Sequence, residues 1–125
     1  MRLLLSLCLL TALPVLPVCA VHAQRVQLLV QSSPLAGFRY GEGAGLWPLL
    51  QQGDALDLVR EADNPHDPNA VRVEWRGRKL GYVPRRENAA IAWGLERGSP
   101  LRARVSRLAE HPNPARRVEF EVYIE

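Results

Sequence analysis

The sequence predicts a mainly β protein, a small antiparallel β-barrel of the OB or SH3 kind with about six strands, one main helix and a short helical turn. Two observations lead to this prediction. Short stretches of alternating apolar and polar residues recur between residues 26 and 124, and glycines or prolines separate them. One segment, residues 84–97, instead has the apolar spacing and the end signals of a helix.

The predicted strands share this alternation, which places apolar side chains on one face of each strand. Val71, Val73 and Trp75, which alternate with Arg72 and Glu74, are one example. In chain order the predicted strands are residues 26–30, 55–60, 71–75, 80–82, 101–108 and 118–124.

Glycines define the connections between the predicted strands. Those in residues 37–45 allow a bend after the first strand, because glycine adopts positive φ at little cost. Residues 46–51 follow as the short helical turn, which the Gly-Asp pair at 53–54 ends. The Arg-Gly pair at 76–77 is a two-residue turn signal, so we expect the third and fourth strands to form a hairpin.

The predicted helix runs from Pro84 or Arg85 to about Arg97. Proline suits a first helical position because its missing N–H needs no partner there, and Gly98 with Pro100 ends the helix. The residues expected to pack in the core from this helix and elsewhere are apolar: Ala89, Ile91, Ala92, Trp93 and Leu95, with Trp47 and Trp75.

Most of the positive charge comes from arginine. The last two predicted strands place Arg102 and Arg104 opposite Glu119 and Glu121, which would neutralise that face. The arginines without such a predicted partner are better candidates for phosphate contacts: Arg85, Arg86, Arg116 and Arg117.

Residues 1–23 have the pattern of a secretory signal peptide. Arg2 supplies the positive start, residues 3–16 are almost entirely apolar, and residues 21–23 form a small-residue cleavage site. Cleavage after Ala23 would release residues 24–125 as one exported domain, periplasmic or secreted, with no membrane attachment. An uncleaved anchor and a lipoprotein linked at Cys19 are the alternatives that this pattern leaves open.

Composition excludes several classes of function. Both cysteines, Cys8 and Cys19, would leave with the signal peptide, so the mature chain has no thiolate metal site and needs no disulfide. The chain contains 16 Lys and Arg residues against 13 Asp and Glu, an excess too small for a non-specific nucleic-acid binder. Neither a GxxxxGK[ST] nor a CxxC motif occurs, which excludes a P-loop ATPase motor and a zinc finger within this sequence.

A polar loop at residues 63–69 is the strongest candidate for a ligand-binding element. Pro65 and Pro68 fix their own φ and push the residue before each of them into an extended conformation. The loop should therefore hold Asn64, His66 and Asp67 at set angles beside the sheet.

Several spaced motifs around this loop occur in a characteristic order. They are Gly37-Phe38-Arg39-Tyr40, Arg60-Glu61, Asn64-Pro65-His66-Asp67-Pro68-Asn69-Ala70-Val71 and Leu80-Gly81-Tyr82-Val83-Pro84, followed by the predicted helix. Over roughly residues 26–124 this series resembles the HIRAN domain. The resemblance implies a compact β-barrel with one or two helices that binds single-stranded DNA at a free 3′ end.

The resemblance also implies roles for individual residues. Asp67 would accept a hydrogen bond from the terminal 3′-hydroxyl, and Asn64 would contact the sugar or the terminal phosphate. Tyr40 and Tyr82 would pack against the last two bases, with His66 at a position where many relatives have another aromatic residue. The candidate nucleic-acid-binding residues are therefore Tyr40, Asn64, His66, Asp67, Tyr82, Arg39, Arg85 and Arg86.

Other interpretations of the same residues remain open. Asn64 and Asp67 are also typical turn-capping residues, and Tyr82 also fits a packing role at the rim of a barrel. An exported domain of this fold could bind a glycan or a peptide instead, or Ca²⁺ through Asp63, Asp67 and Asn69. Catalysis is disfavoured because no nucleophile or second histidine lies close in sequence to His66. The sequence predicts no catalytic residue, no cofactor and no resident metal.

Overall fold

Six antiparallel strands form one sheet in the computed structural model of the chain, which describes residues 11–17 and 26–125. The strands lie in the order β1-β6-β5-β2-β3-β4. Each matches a predicted strand, although the first begins two residues later than expected. Their bounds are Leu28–Pro34 (β1), Ala55–Arg60 (β2), Val71–Trp75 (β3), Arg78–Tyr82 (β4), Leu101–Leu108 (β5) and Val118–Ile124 (β6).

Among the described residues, one bridge pair joins the two ends of this sheet. After β1 the chain continues past Leu35 to Ala36, whose backbone N–H donates to the carbonyl of Tyr82 in β4 at 2.9 Å. The N–H of Tyr82 donates back to the carbonyl of Ala36 at 2.8 Å. One pair is not a continuous ladder, so the predicted barrel is a mainly β, OB-like sheet that is incompletely closed.

The core lies on one face of the strands, as the alternation predicts. In β3, Val71, Val73 and Trp75 are buried, whereas Arg72 and Glu74 are partly exposed. The largest fully buried side chains come from several elements and their connections: Leu35, Phe38, Leu46, Leu80, Ile91 and Phe120.

The helical segments differ from the prediction in their bounds. The short turn consists of helix α1 (Gly43–Leu46) and one 3₁₀ turn at Trp47–Leu49. The main helix is divided into a 3₁₀ turn at Arg85–Glu87 and helix α2 (Ala89–Glu96). Pro84 precedes the helical region, since its ψ of 136° is extended. Gly98 ends the region with a φ of 75°.

Two expectations about burial were wrong. Trp93 is 58% exposed and Ala89 is exposed, because α2 turns Ile91 and Ala92 towards the sheet and the opposite face outwards. The apolar residues of the first strand, such as Leu28 and Val30, are also exposed. Within β1 the buried residue is Ser33, and the neighbouring apolar core residue, Leu35, follows the strand.

The pairing of β5 with β6 confirms one expected ion pair and shifts the other. Arg104 lies opposite Glu121, and its Nε is 2.5 Å from the carboxylate. Arg102 lies opposite Tyr123 instead of a glutamate, and a register shift between Val105 and Arg107 brings Arg107, rather than Ser106, opposite Glu119. This irregularity is a β-bulge, which a simple alternation cannot predict.

The predicted signal peptide lies mostly outside the described residues, as do Cys8 and Cys19. Residues 11–17 are exposed and have no regular secondary structure. In the described parts of the chain, no helix is both long enough and apolar enough to cross a membrane.

The bridge between Ala36 and Tyr82 leads to a testable consequence at Gly81. A Cβ added there would lie 2.3 Å from the carbonyl oxygen of Ala36. We therefore expect Gly81→Ala to lower the free energy of unfolding by about 1–3 kcal/mol, measured by equilibrium unfolding in urea. Gly45→Ala is the matched control, since nothing lies within 4 Å of its added Cβ. An equal stability of the Gly81 variant and the wild type would contradict this role of the bridge.

Candidate functional site

Side-chain hydrogen bonds fix the shape of the proline loop, residues 63–69. Asn64 Oδ1 accepts from the backbone N–H groups of His66 at 2.9 Å and Asp67 at 3.1 Å. Asp67 Oδ1 in turn accepts from the backbone N–H of Asn69 at 3.0 Å. The turn-capping interpretation of Asn64 and Asp67 is therefore confirmed, and the two prolines add to a loop already closed by local bonds.

A buried asparagine attaches this loop to the helical region. Asn88, which is 2% exposed, donates from Nδ2 to Asp67 Oδ2 at 2.7 Å. Asp67 therefore accepts one hydrogen bond at each carboxylate oxygen, and its position is fixed from two sides. Sequence reasoning missed Asn88, because its partner lies 21 residues away and no local pattern indicates the contact.

A second carboxylate, Glu61, connects the loop to the sheet. It accepts hydrogen bonds from Asn64 Nδ2 at 3.1 Å and from the hydroxyl of Tyr82 at 3.1 Å. Arg72 Nη1 lies 2.8 Å from its other oxygen. Burial alone would raise the pKa of Glu61, but the bonds from Asn64 and Tyr82 and the charge of Arg72 outweigh it and lower that pKa. The sequence places Glu61 in a motif but does not reveal its partners.

The loop and the sheet enclose a cleft of about 320 Å³, which we call the rim cleft. It brings together five of the predicted site residues, three from the loop and two from the end of β4 and the turn after it. Its lining consists of Ala36, Asn64, His66, Asp67, Ala70, Tyr82, Val83 and Arg85.

The other predicted site residues lie outside the rim cleft. Tyr40 is 76% exposed and borders a second hollow of about 150 Å³ with Arg39, Gly37 and residues 113–115. The Arg39 guanidinium lies 4.6 Å from the centroid of the Tyr40 ring and donates to its hydroxyl. Ala36 lines the rim cleft and the next residue along the chain, Gly37, lines this tyrosine hollow. Arg86 is exposed and lines neither of them.

Two positively charged side chains, Lys79 and Arg85, lie on the Tyr82 side of the cleft. The Lys79 ammonium lies 4.4 Å from the centroid of the Tyr82 ring. Arg85 is exposed and makes no ion pair with any described residue. The rim cleft therefore combines a fixed carboxylate, an aromatic wall and an available guanidinium. Such a site can accept a hydrogen bond from a hydroxyl, stack a flat ring and bind an anion.

The described residues offer little support for the calcium interpretation. Within residues 11–17 and 26–125, no group of three or more His, Cys, Asp or Glu side chains could hold a metal ion. Asp67, one of the expected oxygen ligands, uses its carboxylate to bind Asn69 and Asn88.

Comparison with known proteins identifies the same fold and family pattern. The family model of the HIRAN domain matches residues 28–125. A crystal structure of a protein from Lactobacillus plantarum is 26% identical and superposes with a TM-score of 0.68, covering 79% of this chain and 95% of that one. The HIRAN domain of human HLTF is 18% identical with a TM-score of 0.57, covering 79% and 80%, and shows similarity of fold alone. No curated protein sequence matches the chain.

The lowered pKa of Glu61 predicts a pH-dependent effect of its removal. Because the folded-state pKa lies below the usual 4.5, the stability from this charge is present above the unfolded-state pKa and is lost as pH falls through the folded-state pKa. We expect Glu61→Gln to melt at a lower temperature than the wild type near pH 7, with a gap that narrows below about pH 4.

Glu110→Gln is the control for this measurement, because Glu110 is exposed and has no hydrogen bond or ion pair within the described residues. Glu110→Gln should have the same melting temperature as the wild type near pH 7 and below about pH 4. If the difference in melting temperature between Glu61→Gln and the wild type stays constant from pH 7 to below about pH 4, the lowered pKa of Glu61 is contradicted.

Proposed function

The chain belongs to the HIRAN domain family, and from this membership and the rim cleft we propose that it binds single-stranded DNA at a free 3′-hydroxyl end without catalysing a reaction. Family membership indicates nucleic-acid binding, and the cleft supports the proposal of a finer specificity. The observation that carries the proposal is the convergence of Asn64, His66, Asp67, Tyr82 and Arg85 on one cleft of about 320 Å³.

Asp67 provides the proposed selectivity for the end of the strand. Each carboxylate oxygen can accept two hydrogen bonds, and each already accepts one within the protein. A terminal hydroxyl can therefore donate to a carboxylate that the loop and Asn88 hold in place. A terminal phosphate would bring negative charge against the same group, which disfavours it.

Tyr82 and Arg85 support the rest of the terminal nucleotide in this proposal. The bond from the Tyr82 hydroxyl to Glu61 fixes the ring at the cleft wall, where a base can stack against it. Arg85 can donate two parallel hydrogen bonds to a phosphate. The next base would then lie against Tyr40 and Arg39 in the tyrosine hollow, whose lining begins at Gly37, the residue after Ala36 of the rim cleft.

The absence of catalysis is part of the proposal. His66 is exposed at the cleft, and Asp67 directs its carboxylate oxygens to Asn69 and Asn88. A histidine and a carboxylate arranged in this way do not form the hydrogen-bonded pair that general acid–base chemistry uses.

We further propose that the domain acts after export. Residues 1–23 supply the signal-peptide pattern, and we expect mass spectrometry of the protein from the periplasm or medium of a bacterial culture to show Gln24 as its first residue. Leu9→Arg, which interrupts the apolar run, should keep the chain inside the cell. An intact Met1 on the exported wild type would contradict cleavage.

The DNA-end proposal predicts a preference between two oligonucleotides that differ only at the 3′ end. At one fixed salt concentration, the mature protein should bind the strand with a 3′-hydroxyl more tightly than the same strand with a 3′-phosphate, because the phosphate faces Asp67. Fluorescence anisotropy with a 5′ label measures both affinities. Equal affinities would remove the proposed specificity, and no binding of either strand would instead favour a non-nucleic ligand such as a glycan or a peptide.

Two arginine variants test whether the strand occupies the rim cleft. Arg85→Gln should weaken binding about tenfold and reduce the salt dependence by about one phosphate contact. Arg107→Gln removes the same charge from an exposed residue of β5 that lines neither the rim cleft nor the tyrosine hollow, and should bind like the wild type. Equal losses in the two variants would show that the effect is only one of net charge.

A further inference from the structure

The outer face of α2 carries an unusual exposed tryptophan. Trp93 is 58% exposed, and the guanidinium carbon of Arg97 lies only 3.4 Å from the centroid of its ring. The two residues are one helical turn apart, on the side of α2 opposite the buried Ile91 and Ala92. Trp93 therefore contributes little to the core, while it presents a flat, cationic surface to solvent.

The charges of this helical region favour an anionic partner. Arg86 and Arg97 make no ion pair with any described residue. Glu96, by contrast, pairs with Arg60 at 2.8 Å. Glu87 accepts hydrogen bonds from Ser33 and from Gln31, so it is held towards β1. Arg86 and Arg97, which flank α2, are thus free of ion pairs, whereas Glu96 is paired with Arg60 and Glu87 is hydrogen-bonded to Ser33 and Gln31.

The same helical region is directly connected to the rim cleft. Arg85 lines the cleft and Arg86 follows it in the chain. Asn88, immediately before α2, binds Asp67, and Arg60 contacts both Glu96 of α2 and the carbonyl of Ala70, another cleft residue. Arg85 is therefore the point at which a strand leaving the cleft would first contact the helical region that carries Trp93.

We propose that Trp93, with Arg97 and Arg86, forms a second binding surface for single-stranded DNA, on which bases 5′ of the end held in the rim cleft stack. This inference rests on the proposed function and extends it from the terminal nucleotide to the strand behind it. The chemistry is that of sequence-tolerant single-strand binding, in which bases stack on aromatic rings and arginines contact the backbone. OB-type folds bind about 4–16 nucleotides, more than the rim cleft alone can hold.

The test compares Trp93→Ala with the wild type on strands of about ten nucleotides that end in a 3′-hydroxyl or a 3′-phosphate. We expect Trp93→Ala to weaken binding of both strands about tenfold and to leave the ratio between them unchanged, because that ratio reports the cleft. Trp93→Phe should retain most of the affinity, since its ring still stacks. Leu49→Ala is the matched control: Leu49 is 59% exposed in the 3₁₀ turn after α1, outside α2.

The outcomes separate this inference from the proposed function. If the wild type prefers the 3′-hydroxyl and Trp93→Ala binds like Leu49→Ala, the second surface is excluded while the cleft proposal stands. If Trp93→Ala loses the preference for the 3′-hydroxyl strand, Trp93 belongs to the cleft. If it changes only the elution volume in size-exclusion chromatography, Trp93 lies in a contact between copies of the chain. If the wild type binds neither strand, the proposed function fails and this inference fails with it. Equal melting temperatures of Trp93→Ala, Trp93→Phe and the wild type confirm that the comparison reports binding.

Discussion

The geometry of the candidate site depends on one carboxylate that serves three parts of the chain. Glu61 lies directly after β2, accepts from Asn64 in the proline loop and from Tyr82 in β4, and pairs with Arg72 in β3. A half-buried charge is stable only when such partners compensate it, and two of the partners here, Asn64 and Tyr82, line the cleft. The same interaction that satisfies Glu61 therefore holds the loop against the sheet.

A second polar contact completes this arrangement from the other side. Asn88 binds Asp67 and places the start of the helical region beside the loop. With both contacts formed, the loop needs no ligand to hold its shape, so little conformational entropy is lost on binding. That preorganisation suits a site that recognises a small feature, the end of one strand, through few groups. The exposed Trp93 of α2, with Arg86 and Arg97 on either side of that helix, belongs to the helical region that this contact anchors.

Local chemistry made some features predictable and left others hidden. The proline loop was predictable because Asn64, Asp67 and the two prolines act within a few residues of one another, and five of the predicted site residues do share a cleft. The partners of Glu61 and Asn88 were not, since they come from distant strands and loops. The exposure of Trp93 and of the β1 residues also follows from neighbours: an apolar pattern shows that one face could be buried, and only the packed fold decides whether anything covers it.

The rim cleft contains the bridge between Ala36 and Tyr82, so a ligand bound there contacts the residues that close the sheet. Both residues line the cleft, and the hydrogen bonds between their peptides join the two edges of the sheet. A molecule bound in the cleft contacts both residues of the bridge at once and stabilises their pairing. Ligand binding should therefore slow hydrogen exchange at these two amides, so their exchange rate reports whether the cleft is occupied.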